Sequence, residues 1–494
     1  MMVQNDCEEF DWIGEMVPCF RTSGENVELL QEPTEFYARL QTLASTSKRR
    51  ILIAALYWSH GEKEQRLLDC VTRVVEANPS VQCRVLLDYT RGTRRTHGEN
   101  SCTLLAPLVR KFASTVSVHL FHSPKLRGFW KRLLPERWNE IIGLQHMKLY
   151  IFDDTLLISG ANLSESYFTN RQDRYVLVHD CRALADYYDE IVDAVAQCSF
   201  RLRSDGTLRP DERCTHHPYR GNESAYLTML RERVNSVIER WRCANDGTKP
   251  TTQTTLSHQK PSGSNARPCE DTVIYPLVQY GEAALNYEDT VIRRLLAAKS
   301  PTTSLLLSSG YFNLTDAYTQ LMLESGDYDV HIIAASPQAN GFFGASGLAG
   351  YVPALYTDAM RHFYDRARQL GVWQQRVALR EYSRQNWTFH AKGMWWRNAK
   401  ETCENGNSDS EKIVGQTYAT LAGSTNFGYR SAHRDLEAQI VIVTENPELQ
   451  SRLNEEQRHL LQYGHTVDAA TFKRADHFVP FWLRWLARFI RNMF

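Results

Sequence analysis

The chain has 494 residues, enough for two or three domains with separate cores. Its apolar content of 43% and charged content of 23% are ordinary for a globular protein, and a formal net charge of zero excludes a whole-molecule basic field for gripping nucleic acid. The eleven cysteines are odd in number and contain no CxxC pair, which argues against a disulfide framework or a zinc site and fits a reducing compartment.

In chain order, the first thirty residues hold a single arginine, Arg21, and seven acids, so neither a secretory signal nor an import presequence is visible. No apolar run approaches the ~18 residues of a membrane-spanning helix. An internal duplication then organises the chain. The short apolar runs ILIAALYW (51–58) and LLLSSGYF (305–312) have the length of buried strands. CRVLLDYTRG (83–92) answers to VHIIAASPQANG (330–341), and LQHMKLYIFDD (144–154) to TFHAKGMWWR (388–397). LISGANLSESYFTNRQDRYVLV (157–178) answers to LAGSTNFGYRSAHRDLEAQIVI (421–442) without a gap. Helices are expected near 63–77, 184–198 and 352–370. Strands alternating with helices predict an α/β class with mostly parallel sheets, two repeats forming a pseudo-dimer. The expected divisions are an N-terminal extension (1–25), a first α/β domain (26–243), a flexible polar linker (244–272), a second α/β domain (273–475) and an amphipathic C-terminal helix (476–494). An insertion at 399–412 lengthens the His-to-Asn distance from 16 residues in the first half to 36 in the second.

The chemistry-bearing residues recur with the repeat. On a strand, residues two apart face one side, so His146 and Lys148 share a pocket, as do His390 and Lys392. Phosphodiester transfer uses these types: an imidazole to attack or shuttle protons, and an ammonium to neutralise phosphoryl oxygens. Asp153 completes a His-x-Lys-x4-Asp pattern in the first half, where position 397 of the second is Arg397. Because Asp153 also begins a turn with Asp154, chemistry and turn formation are both open to it. Small-residue turns ending in Asn162 and Asn426, the latter with Ser424, would let backbone and amide donors approach phosphate oxygens. Each Asn precedes an acid by eleven residues, Asp173 and Glu437.

The doubled His-x-Lys pattern resembles the phospholipase D superfamily. Longer strings, among them IGLQHMKLYIFDD, SGANLSESYFTNRQDRY, ASPQANGFFGASG, WTFHAKGMWW and GSTNFGYRSAHRDLEAQIVIVTEN, closely resemble the mitochondrial phosphatidylglycerophosphate synthases of eukaryotes. The resemblance covers roughly residues 17–494 apart from the linker and the insertion, and the second motif of that family also ends without the acid. It implies two phospholipase D-like domains with one active site at their interface. It also implies transfer of a phosphatidyl group from CDP-diacylglycerol to glycerol 3-phosphate through a phosphatidyl-histidine, with release of CMP, on the way to phosphatidylglycerol and cardiolipin. By analogy His146 is the nucleophile and His390 the proton shuttle. Lys148, Lys392, Asn162 and Asn426 would hold phosphoryl oxygens, and Asp173 and Glu437 would each orient a histidine. Lysines supplying the charge would make a metal or other cofactor unnecessary. Localisation at the matrix face of the inner mitochondrial membrane is likewise implied by resemblance. The motifs alone leave water as an alternative acceptor, which would make the chain a phospholipase D-type hydrolase of a phospholipid or nucleic acid.

Arg91, Arg94 and Arg95 follow a strand, where α/β sheets place ligand-binding loops, and are candidates for the acceptor's phosphate. Arg171 and Arg174, or Arg430 and Arg434, are the other candidates. HFVPFWLRWLARFIRNMF (477–494) reads as a basic, aromatic helix suited to peripheral association with an anionic lipid interface, and SPKLRGFWKRLLPERW (123–138) has similar character. With zero net charge, these segments favour lipid over nucleic acid as the partner.

Overall fold

A computed structural model of the chain describes residues 8–96, 98–128, 142–246, 270–398 and 415–490. The expected insertion and most of the expected linker lie outside these residues, as does 129–141 of the basic segment before the first histidine.

The described residues form two large sheets with the same internal order. In the first, Val116–Phe121, Gln82–Asp88 and Arg50–Ala54 run parallel; Leu149–Phe152, Thr155–Ser159, Tyr175–Val178 and Val27–Leu30 follow antiparallel. In the second, Val377–Tyr382, Asp327–Ala335 and Lys299–Ser309 are the parallel set. Gly393–Asn398, Thr417–Gly423, Glu437–Thr444 and Thr272–Tyr280 complete it antiparallel. The duplication read from sequence is thus a duplication of topology. The sheets are mixed rather than mostly parallel. The two-residue turn Asp153-Asp154 between Leu149–Phe152 and Thr155–Ser159 is too short for a crossover, so those strands must reverse direction. Helices occupy Glu62–Ala77, Arg182–Ala196 and Val352–Gln369, where the periodicity places them.

The halves share a core. One face of the first sheet, including Met147, Leu149 and Ile151, packs in the same apolar cluster as Leu277, Ile440 and Val441 of the second, with helix Arg182–Ala196 between them. Tyr188 on that helix donates its hydroxyl to the Gln439 carbonyl at 2.7 Å. Central strands are therefore buried on both faces, which explains their continuous apolar runs. The other face of the first sheet has its own cluster, including Phe36, Leu67 and Val71 of the flanking helices.

Two expected boundaries shift. Helix Glu223–Asp246 continues into the segment expected as linker. The supposed N-terminal extension belongs to the second half: Phe20–Thr22 pairs antiparallel with Thr272–Ile274 at the sheet edge. Phe10 stands edge-on to Trp396 and Tyr418 at 5.9 and 6.1 Å. Phe10, Ile13, Val17 and Phe20 recur every three or four residues and are all buried, which is what overrides the acidic composition around them. Phe10→Ala removes a fully buried ring and is expected to destabilise the fold by about 3–5 kcal/mol, read as a lowered denaturant midpoint.

Candidate active site

The turn before each histidine carries it across the boundary between halves. The His146 amide donates to the Leu436 carbonyl at 2.7 Å, and the His390 amide to the Gln172 carbonyl at 2.7 Å. The second contact extends a two-stranded parallel ladder in which Thr388 and Phe389 lie beside Arg171 and Gln172. Leu436 and Gln172 immediately precede Glu437 and Asp173. Each histidine is thereby brought to the carboxylate of the opposite half: His146 Nδ1 lies 2.9 Å from Glu437 Oε2, and His390 Nδ1 2.6 Å from Asp173 Oδ2. These four side chains are buried.

Each lysine folds back onto the backbone of its own histidine. Lys148 Nζ donates to the His146 carbonyl at 2.7 Å, and Lys392 Nζ to the His390 carbonyl at 2.8 Å and lies 3.9 Å from Asp173 Oδ2. Gly160 makes this convergence possible. A Cβ there would stand 2.6 Å from both Asp173 Oδ1 and Lys392 Nζ. Gly310 similarly admits the other histidine, since its Cβ would meet the His390 Cα at 2.6 Å.

Burial and mutual charge set the protonation states. Burial lowers Lys148 to about 7; Glu437 opposes the shift and Lys392 adds to it. Burial likewise lowers Lys392 to about 8, against Asp173 and Glu437. Both histidines are driven toward the neutral ring, first by burial. Glu437 partly resists this at His146, whereas Lys392, Arg171 and Lys148 reinforce it at His390. The carboxylates differ. Burial works against the Glu437 charge, but His146, Lys148 and the Ser424 hydroxyl overcome it and hold Glu437 at about 2. At Asp173 burial wins over Lys392, the Arg174 amide and Lys148, and raises it to about 6. With a neutral ring, His146 Nδ1–H donates to Glu437, whereas His390 Nδ1 lies between Asp173 Oδ2 at 2.6 Å and Lys392 Nζ at 2.8 Å. Among the described residues His146 Nε2 has no hydrogen-bond partner, whereas the Tyr167 hydroxyl sits 3.3 Å from His390 Nε2.

The other expected residues divide. Asn162 is buried beside the site, donating to the Tyr167 hydroxyl at 3.3 Å and accepting the Leu56 amide at 3.2 Å. The buried Asn426 Oδ1 has no partner among the described residues. Ser424 was expected at a phosphate, but its hydroxyl binds Glu437 Oε2, with Ser431 holding Oε1 at 2.8 Å, so it braces the carboxylate behind the histidine. Asp153 is not brought to the histidines. It lies past the far end of strand Leu149–Phe152, where its carboxylate accepts the amides of Lys48, Arg49 and Arg50 at 2.9, 2.7 and 3.1 Å. Its φ of 51° is the left-handed turn geometry that Asp tolerates.

Arg91 stacks over Tyr57, 4.4 Å from the ring centroid, while Arg94 ends the same short helix. Arg174 is consumed structurally: Glu456 takes it at 2.7 and 2.8 Å and Trp395 lies under it at 3.9 Å. The sequence reading missed the aromatic wall of Tyr167 and Tyr311, which stand edge-on to His390 at 5.2 and 5.3 Å. The available signal for Tyr311 was its repeat mate Tyr57; Tyr167 has Ser431 at the equivalent position and gave none.

No family model matches the chain. The mitochondrial CDP-diacylglycerol–glycerol-3-phosphate 3-phosphatidyltransferases of Bos taurus and Homo sapiens are each 41% identical to it over 495 residues, spanning 98% of this chain and 86% of theirs. A Dictyostelium discoideum protein named as a probable enzyme of the same kind is 34% identical over 453 residues, 90% of this chain and 73% of that one. Among solved structures, phosphatidylserine synthase of Haemophilus influenzae Rd KW20 shares the fold, with a TM-score of 0.69 at 20% identity over 99% of this chain and 98% of that one. On sequence identity sustained along nearly its whole length, the chain belongs to the family of CDP-diacylglycerol–glycerol-3-phosphate 3-phosphatidyltransferases.

Proposed function

We propose that the chain transfers the phosphatidyl group of CDP-diacylglycerol to sn-glycerol 3-phosphate, giving phosphatidylglycerophosphate and CMP. The observation that carries the chemistry is the crossed pair of His–carboxylate contacts between two lysines. His146 is the nucleophile. Its Nδ1–H is backed by an ionised Glu437, and its Nε2 is unobstructed among the described residues. Attack on the lipid-proximal phosphorus forms a P–N bond and breaks the P–O bond to CMP. His390, protonated at Nε2 as the anionic substrate enters, gives that proton to the departing phosphate oxygen. It then takes the proton of the glycerol 3-phosphate hydroxyl, whose oxygen attacks phosphorus and breaks the P–N bond. Lys148, Lys392 and the Asn162 and Asn426 amides hold the non-bridging oxygens.

The lipid half of the substrate calls for a membrane-facing surface. The helix Phe481–Ile490 buries Leu483 but leaves Phe481 83% and Trp485 59% exposed, with Phe478 at 70% just before it. Trp482 meets Tyr351 at 5.0 Å, which joins the helix to a loop carrying Phe343, 59% exposed. Phe342 on that loop touches Tyr311 at 5.9 Å, and Tyr311 touches His390. An aromatic surface thus leads from the outside to the reacting centre, an arrangement suited to peripheral binding at a bilayer. The relatives' names place them in mitochondria; we assign this chain to the same organelle, at the matrix face of the inner membrane.

Glu437→Gln leaves the His146 Nδ1–H without an anion. By the precedent of carboxylate-to-amide changes in catalytic triads, kcat for CMP release should fall about 10²- to 10⁴-fold with little change in the KM for CDP-diacylglycerol. An unchanged kcat would remove His146 from the chemistry. The pH profile of kcat/KM should rise through about 6, as Asp173 loses its proton and becomes the anion that orients His390. It should fall through about 7 to 8, as Lys148 and Lys392 lose theirs and stop neutralising the phosphoryl oxygens. A profile flat from pH 5 to 9 contradicts this assignment. Replacing Phe481 and Trp485 with serine should weaken sedimentation with cardiolipin-containing liposomes by about tenfold or more; equal sedimentation would assign the helix to packing alone.

A further inference from the structure

The repeat that builds the site is broken at Arg171, and the break leaves a charge unmatched. In the gap-free alignment of the two halves, Asp173 corresponds to Glu437 and Arg171 to Asp435. Asp435 is satisfied internally, by Arg430 at 3.0 Å and the Leu144 amide at 3.0 Å. Arg171 has no carboxylate partner of its own among the described residues. Its Nε donates to the Thr388 hydroxyl at 3.1 Å, and its guanidinium lies over the Tyr167 ring at 4.6 Å. Three residues on, the fully buried Arg174 is clamped by both oxygens of Glu456, whereas Arg171 is half-buried. A half-buried guanidinium, stacked on an aromatic ring and without an acid, presents its remaining N–H groups as a planar fork for an anion.

The surroundings define the opening. Gly341 covers the guanidinium: a Cβ there would lie 3.4 Å from Arg171 Nη2 and 3.0 Å from the Tyr311 hydroxyl. Gly341 is itself exposed, so a small anion can reach the fork beside it. On the inner side, Tyr167 touches both groups: the Arg171 guanidinium lies over its ring, and His390 Nε2 is 3.3 Å from its phenol oxygen. The cation and the atom that exchanges protons therefore share one tyrosine.

We propose that Arg171 anchors the phosphomonoester of the acceptor and so selects glycerol 3-phosphate over unphosphorylated alcohols. This rests on the transfer reaction proposed above for the ligand's identity. The spacing favours acceptor over nucleotide. Three carbons separate the reacting hydroxyl of glycerol 3-phosphate from its phosphate, matching a cation that hydrogen-bonds neither histidine among the described residues. The phosphate of CMP is bonded directly to the leaving oxygen and belongs nearer the lysines.

The test uses the full chain and two readouts. Titration calorimetry with glycerol 3-phosphate should show binding to the unsubstituted protein that Arg171→Gln weakens on the order of 10- to 100-fold, and that Arg171→Lys restores only in part. With CDP-diacylglycerol as donor, the ratio of kcat/KM for glycerol 3-phosphate to that for glycerol should fall by a similar factor in Arg171→Gln. Unchanged glycerol 3-phosphate affinity, or equal losses with both acceptors, overturns the proposal. A loss confined to CMP binding also overturns it and moves the pocket to the nucleotide. Phosphate-selective binding lost in Arg171→Gln upholds the anchor even where no phosphatidylglycerophosphate is formed, an outcome that would refute the transferase reading alone.

Discussion

The structure depends on two buried hydrogen bonds that cross between halves, from His146 to Glu437 and from His390 to Asp173. A carboxylate as buried as Glu437 is tolerable only with partners, and stranding one by removing its mate costs about 3–5 kcal/mol. Each acid takes its imidazole partner from the opposite half. The contacts that orient the imidazoles are therefore also contacts that dock the repeats, reinforced by the amide bonds to Leu436 and Gln172 one residue away. Chemistry and assembly rest on the same atoms, which accounts for a core that runs without a break from one sheet to the other.

The pseudo-twofold is approximate where the substrates are unlike. Glu437 is braced by Ser424 and Ser431 and stays ionised, while Asp173 shares its environment with Lys392 and the aromatic wall and holds its proton to about 6. Two positions drive the difference: Tyr167 stands where the other half has Ser431, and Arg171 where it has Asp435. A repeat with identical sides would offer two equal histidines. Those two replacements give one histidine a rigid anion and an open ring nitrogen, and give the other a crowded, cationic setting.

Much of this was legible in the sequence because it follows from spacing. Period-two placement put each lysine on the side of its histidine, and the eleven-residue interval from Asn to acid identified Asp173 and Glu437. The interval could not say which acid serves which histidine, since crossing is a property of how the repeats dock. Ser424 illustrates a second limit. A buried hydroxyl beside a glycine suits a phosphate or a carboxylate equally, and only the position of Glu437 decides. Asp153 satisfied a motif and a turn at once, and the three amides of residues 48–50 settled it as a turn residue. The mixed sheets were readable in the two-residue Asp153-Asp154 turn, which the alternation of strands and helices overshadowed.

The pairing of Phe20–Thr22 with Thr272–Ile274 has a consequence for biosynthesis. Between 250 and 254 residues separate the partners, so at about 5–20 residues per second Phe20–Thr22 emerge roughly 10–50 s before the strand they pair with. Through that interval Phe10, Ile13, Val17 and Phe20, all buried in the finished fold, are apolar surface without a seat. The edge of the second sheet is thus closed by a segment that precedes the whole first sheet in the chain.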